Sequence, residues 1–284
     1  GNVKNAHKVF DSVQIKDIIS WTSLVTIYAD HGEHVEVLGL FNRLQKEGHS
    51  PNKVTFVSVL AMFDCNEVLP TGRYIHNYII TKGLDGDVII ANSLINMYNK
   101  CSTVEETKQI FHKMMNRNVI SWTLMIGIHA KEGHMNDALE AFLCMQEDGI
   151  VPNKVTFINM IEACASQAAF REGKCMHKCI ICMRFELDVS IETALLKMYG
   201  ICGSYMDAWD VFDQMVDRDV LSWNTIIALY VNYGHGNMAL HLFQLMLGQG
   251  VLPNEATYGF LLVACTGIIS VSDGIEIHAQ IRFI

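Results

Sequence analysis

Apolar positions recur along this chain at helical spacing, in short bursts separated by polar breaks. Trp21, Leu24, Val25 and Tyr28 fall at i, i+3, i+4 and i+7, a stripe on one face of a helix. The stripe breaks at His31–Gly32, and a second follows at Val37, Leu38, Phe41 and Leu44. Gly48 and Pro51 end that second helix, with glycine near the C-cap and proline just beyond. Trp122, Met125 and Ile126, then Ala138, Leu139, Phe142 and Met145, repeat the two stripes further on. The pattern predicts an all-α chain of helical hairpins.

The hairpins recur in register. Trp21, Trp122 and Trp223 stand 101 residues apart, each preceded by a serine (Ser20, Ser121, Ser222). The same step relates Pro51–Asn52, Pro152–Asn153 and Pro253–Asn254, then Phe10, Phe111 and Phe212, and again His76, His177 and His278. Each 101-residue unit divides into modules of 35, 35 and 31 residues. The complete modules are 18–52, 53–87, 88–118, 119–153, 154–188, 189–219 and 220–254, with partial modules at 1–17 and 255–284. One hairpin cannot bury both stripes alone, so neighbours must stack, with first helices on one face of a solenoid and second helices on the other.

Composition narrows the partners. The 284 residues are 50% hydrophobic, enough for a large core. Lys and Arg number 21 against 30 Asp and Glu, and the resulting charge of −9 leaves no global positive field to recruit nucleic acid. Nine cysteines, an odd number in a long chain, do not read as a disulfide framework. Residues 220–254 hold no Asp, Glu, Lys or Arg, yet Asn224, Asn232, Gly234, His235, Gly236 and Asn237 cut them into runs too short to span a membrane. Polar sequence follows Gly1 at once, so a targeting leader is expected to have been removed or to lie upstream of an internal fragment.

Tetratricopeptide repeats, with a period of about 34, fit poorly, because their tryptophan, glycine and tyrosine pattern is missing. Three consecutive modules carry a different likeness: VISWTLMIGIHAKEGHMNDALEAFLCMQEDGIVPN (119–153), KVTFINMIEACASQAAFREGKCMHKCIICMRFELD (154–188) and VSIETALLKMYGICGSYMDAWDVFDQMVDRD (189–219). The chain resembles the pentatricopeptide repeat family of plant organelles, in its subclass of alternating P, L and S modules. On that likeness 18–52, 119–153 and 220–254 are P, 53–87 and 154–188 are L, 88–118 and 189–219 are S, 1–17 is a partial S and 255–284 a partial L.

The resemblance implies a right-handed α-α superhelical solenoid of helix-turn-helix repeats that binds single-stranded organellar RNA, one base per repeat, in mitochondrion or chloroplast. It also implies that the fifth and last residues of a module read the base edge. Carried over, the pairs are Thr22 with Asn52, Asn92 with Asn118, Thr123 with Asn153, Thr193 with Asp219, and Asn224 with Asn254. The family's code then suggests A, pyrimidine, A, G and pyrimidine, 5′ to 3′ along the chain. Second positions sandwich the bases, a role for Ile19, Ile89, Ile120 and Leu221, while Ser190 departs from it. Lysines at the thirteenth position approach phosphates; Lys100 and Lys131 keep them, whereas Asp30, Ile201 and Asn232 do not. Modest affinity and a shallow salt dependence are the expectation.

A second explanation competes at the last position. Asp17, Asn52, Asp87, Asn118, Asn153, Asp188, Asp219 and Asn254 are also the best N-cap residues for the helix that follows. Capping does not explain the fifth position, where every complete P and S module has Thr or Asn. The L modules have Val57 and Ile158 there, and the partial one Gly259, none of which can hydrogen-bond a base through a side chain.

Two motifs mimic metal chemistry. His34–Val35–Glu36 matches half of a zinc deaminase signature whose P-C-x-x-C half is missing downstream. Cys175, His177, Cys179 and Cys182 sit on one predicted helix and cannot surround a tetrahedral ion, so the cysteines are expected to pack, buried, between helices. Histidines 76, 177 and 278 are read as structural. No catalytic constellation stands out, so no enzyme activity, metal, cofactor, membrane or small-molecule substrate is expected. The first reading is an RNA-binding array that specifies a transcript site for C-to-U editing or processing, with accessory editing factors or a deaminase lying C-terminal to Ile284 or supplied in trans. The alternative is a helical protein-binding scaffold.

Overall fold

The computed structural model describes residues 3–63, 68–183 and 188–268, which form sixteen α-helices with no strand among the described residues. The first helices of the hairpins are α2 (Ile18–Asp30), α4 (Lys53–Ala61), α6 (Val88–Lys100), α8 (Val119–Lys131), α10 (Lys154–Ser166), α12 (Val189–Ile201), α14 (Val220–Asn232) and α16 (Glu255–Ile268). The second helices are α3 (His34–Lys46), α5 (Leu69–Thr81), α7 (Val104–Lys113), α9 (Met135–Glu147), α11 (Phe170–Cys182), α13 (Tyr205–Gln214) and α15 (Gly236–Gly248), and α1 (Val3–Ser12) precedes them all.

Contacts divide the chain into two units, residues 1–128 with 148–150, and residues 129–147 with 151–284. In the first unit α2 packs on α4 and α4 on α6, while α3 and α7 cover α2 and α6. In the second, α10, α12, α14 and α16 pack in succession, and α11, α13 and α15 back them. First helices thus stack on first helices, the solenoid arrangement that buries both stripes of each hairpin.

The 101-residue period has a packing cause. Phe10 meets Trp21 edge-on at 4.6 Å, Phe111 meets Trp122 at 4.9 Å, and Phe212 meets Trp223 at 4.8 Å. A cation lies over each phenyl ring, Lys16 at 5.3 Å, Arg117 at 4.7 Å and Arg218 at 4.8 Å. The periodic histidines belong to the framework too. Nδ1 of His76 lies 2.9 Å from the Tyr98 hydroxyl and Nδ1 of His177 lies 2.9 Å from that of Tyr199; His278 lies outside the described residues.

Among the described residues, six hairpin turns reverse through one left-handed residue. Gly32, Gly133, Gly203 and Gly234 supply it with φ between 72° and 81°, but Ser102 (φ 54°) and Ala168 (φ 50°) fill the same register position.

The cysteine expectation is corrected in part. Cys101, Cys164 and Cys265 are buried, but Cys175 and Cys182 are exposed and Cys179 is half-buried. On α11 the buried face is carried by Gly173, Met176 and Ile180, and the three cysteines lie beside it. Among the described residues they form no metal-ligand cluster.

Candidate RNA-binding surface

Every first helix from α2 to α14 begins on the residue after an Asn or Asp, and the cause is a cap. Asn52 Oδ1 accepts from Thr55 N at 2.9 Å, Asn118 from Ser121 N at 3.0 Å, Asn153 from Thr156 N at 2.9 Å and Asp219 from Ser222 N at 2.8 Å. Asn254 caps α16 through Thr257 N at 3.1 Å. Capping therefore holds at the last position of these modules. It uses one side-chain oxygen and leaves the other terminal atom, Nδ2 of an asparagine or Oδ2 of Asp219, for a different task.

In modules 53–87 and 154–188 that second atom is taken. Oδ2 of Asp87 lies 2.5 Å from Lys53 Nζ, and Oδ2 of Asp188 is bound by Lys154 Nζ. Partial burial pushes the Asp87 carboxyl up, but the Lys53 ammonium and the N–H groups of Ile90 and Ile89 outweigh it and hold it below the usual 3.8. Asp188 is lowered against burial in the same way by Lys154 and its capped N–H groups. The lysines are the first residues of these two modules, so this tie recurs with the 101-residue step.

The fifth-position side chains lie beside the caps. Asn92 Nδ2 donates to Asn118 Oδ1 at 3.2 Å, and Asn224 Nδ2 donates to Asn254 Oδ1 at 2.9 Å. Thr22 reaches Asn52 through Thr55, whose Oγ1 lies 2.7 Å from Thr22 Oγ1 and donates to Asn52 Oδ1 at 3.0 Å. Thr123 is buried on α8. Thr193 is 9% exposed and its buried Oγ1 has no hydrogen-bond partner, while Asp219 is committed to the Ser222 cap. All five fifth residues are buried.

The second positions stand out into solvent. Ile19 is 68% exposed and Leu221 59%, and Ile89 and Ile120 are exposed as well. Sequence reasoning missed two further members, Val54 and Val155, the exposed second residues of modules 53–87 and 154–188. Their signal was available, an aliphatic residue directly after the opening lysine. Exposed Ser190 interrupts the series. Uncovered aliphatic side chains repeated at one register position lower no free energy in the isolated fold, and they suit flat apolar ligands.

In the second unit a groove of about 770 Å³ runs between α12, α14 and α16. Leu221, Asn224 and Asn254 line it together with Ile201, Asn232 and Tyr233, so it gathers the second, fifth, thirteenth and last positions of one module. Its volume lies within the range of small-ligand clefts. The thirteenth-position lysines are exposed, and Lys100 Nζ donates to Ala61 O at 3.3 Å.

The family signature described as the PPR repeat family matches residues 16–63, 117–166 and 218–266, and a PPR repeat signature matches 89–119 and 193–220. The chain belongs to the pentatricopeptide repeat family. A chloroplastic pentatricopeptide repeat-containing protein of Arabidopsis thaliana is 33% identical over 98% of this chain and 45% of its own length. The chloroplastic pentatricopeptide repeat-containing protein CRR2 from the same plant is 35% identical over 94% of this chain and 41% of its own. This pentatricopeptide repeat chain thus spans less than half the length of these relatives. Among solved structures, the pentatricopeptide repeat protein PPR10 in complex with an 18-nt psaJ RNA element superposes with a TM-score of 0.81 at 18% identity, over 99% of this chain and 42% of that one. PPR10 from maize gives 0.67 at 16% identity, over 99% and 46%. These likenesses establish an all-α helical-repeat solenoid.

Proposed function

We propose that this chain binds single-stranded RNA in a sequence-dependent manner, one base to each P or S module. The observation that carries the reading is the division of labour at the last residue. One atom caps the next helix, and the other is left over in P and S modules but bound to lysine in the L modules. Where the free atom is the Nδ2 of asparagine it donates, matching the acceptor N1 of adenine or N3 of cytosine. Where it is the Oδ2 of Asp219 it accepts, matching the N–H at N1 of guanine or N3 of uracil. Ile19, Ile89, Ile120 and Leu221 supply apolar platforms for the base faces, and Lys100 and Lys131 supply cations for phosphates.

Threonine at the fifth position selects purine and asparagine selects pyrimidine by the family's code, giving A-x-Y-A-x-G-Y along modules 18–52 to 220–254. A protein scaffold would give no reason for an aliphatic row in register with polar pairs. The RNA bound by PPR10 and the organellar names of the relatives favour an organellar transcript as the ligand. The alternating P, L and S modules favour a role in placing an editing deaminase or a processing factor, whose chemistry another segment or protein would supply.

Fluorescence anisotropy with two labelled single strands tests the reading, one carrying A-x-Y-A-x-G-Y and one with its specified bases permuted. At least tenfold tighter binding of the first is expected. Equal affinity overturns the assignment.

A further inference from the structure

We propose that His129, His134 and Asp137 form a binding site for a borderline divalent transition cation, with Zn²⁺ preferred, that ties together the two helices of hairpin 119–153. His129 lies on the last turn of α8, His134 immediately precedes α9, and Asp137 lies in the first turn of α9. A ligand atom from each falls within 4.8 Å of the other two, and His129 Nδ1 is 3.7 Å from Asp137 Oδ2. Ligands about 2.0–2.1 Å from a tetrahedral ion stand roughly 3.4 Å apart, so small side-chain rotations complete the triangle.

The site is built on a fixed turn. Gly133 (φ 72°) makes the reversal, and Gln167 Nε2 donates to its carbonyl at 3.0 Å. A hollow of about 340 Å³ lined by His134, Asp137 and Gln167 leaves room for water as a fourth ligand. Two imidazoles with one carboxylate suit zinc rather than magnesium or calcium, which take oxygen ligands. The Asp137 carboxylate offsets the positive end of α9.

The other repeats serve as an internal control. The register position of His129 holds Tyr28, Tyr98, Tyr199 and Tyr230 in the other complete P and S modules. The position of His134 holds Glu33, Thr103, Ser204 and His235, and that of Asp137 holds Glu36, Glu106, Asp207 and Met238. Only module 119–153 combines two histidines with a carboxylate. Since tyrosine fills the first of these positions elsewhere, packing does not require a histidine there.

Cobalt(II) titration of the whole chain, followed by zinc displacement, tests the proposal. The expected result is a d–d spectrum without a thiolate charge-transfer band, and affinity lowered more than about tenfold in both His129→Tyr and Asp137→Asn, with helicity unchanged in Asp137→Asn. Absence of binding, a thiolate band from Cys175, Cys179 or Cys182, or full affinity in Asp137→Asn would overturn it.

Discussion

Asn224 donates its amide to Asn254, thirty residues on, at 2.9 Å, while Asn254 caps α16 through Thr257. The fifth and last residues of module 220–254 are thereby held by the same bonds that start the next helix. Thr257 joins the pair, its one hydroxyl proton directed to Asn224 Oδ1 at 2.6 Å and shared with Asn254 Oδ1 at 3.1 Å. Preorganisation of this kind lowers the ordering cost of binding.

Replacing Asn254 with aspartate keeps the capping oxygen and turns the remaining atom from donor to acceptor. Asn254→Asp should shift the preferred pyrimidine at that position from C toward U, by about tenfold in relative affinity. Competition between otherwise identical strands reads the change, and melting temperature should move little because the cap survives.

Ser190 is the gap in the aliphatic row. Ser190→Ile adds about 40 Å² of apolar contact to a base, about 1 kcal/mol at ~25 cal/mol per Å². RNA affinity should rise about fivefold, with thermal stability of the free protein unchanged. No gain in affinity would remove the second positions from the binding surface.

Most of the fold was legible in the sequence because the signal was repeated. Trp21, Trp122 and Trp223 mark the same buried cage three times, so a register visible in any one repeat is checked by the others. The cysteines at 175, 179 and 182 misled because cysteine is a small apolar residue by type, while its burial depends on which face of α11 meets a neighbour. Competition between capping and base contact at the last position was undecidable from residue type, since both tasks prefer Asn and Asp. Oδ1 and the second terminal atom have separate environments only in three dimensions, as the lysines beside Asp87 and Asp188 show. His129, His134 and Asp137 escaped notice because their spacing is irregular along the chain and closes only across the turn at Gly133.

Ala168 holds a left-handed conformation that glycine adopts freely. Ala168→Gly should therefore stabilise the chain by about 0.5–1 kcal/mol, raising the melting temperature by about 1–3 °C. Gly133→Ala, the reverse change at the same register, should destabilise it by a similar amount.

Burial is the main influence that holds His76 and His177 below the usual 6.5, with Lys113 adding to it at His76; at His177 Asp207 opposes the shift and Lys174 adds to it. Their unfolded forms take up a proton near 6.5, whereas the folded forms resist it until lower pH. Stability from these sites is complete above about 6.5 and falls as the pH drops below it. Thermal unfolding followed from about pH 7 to 5 should show this decline, and His76→Gln with His177→Gln should flatten it. The carboxyls of Asp87 and Asp188, lowered from 3.8, give a separate loss at more acidic pH.

The most direct measurement is a selection from random single-stranded RNA, run in parallel on the natural chain and on Asp219→Asn. The account predicts enrichment of A-x-Y-A-x-G-Y by the natural chain, and the same motif with A in place of G by the variant. Identical motifs from both proteins, or no enriched motif at all, would contradict it.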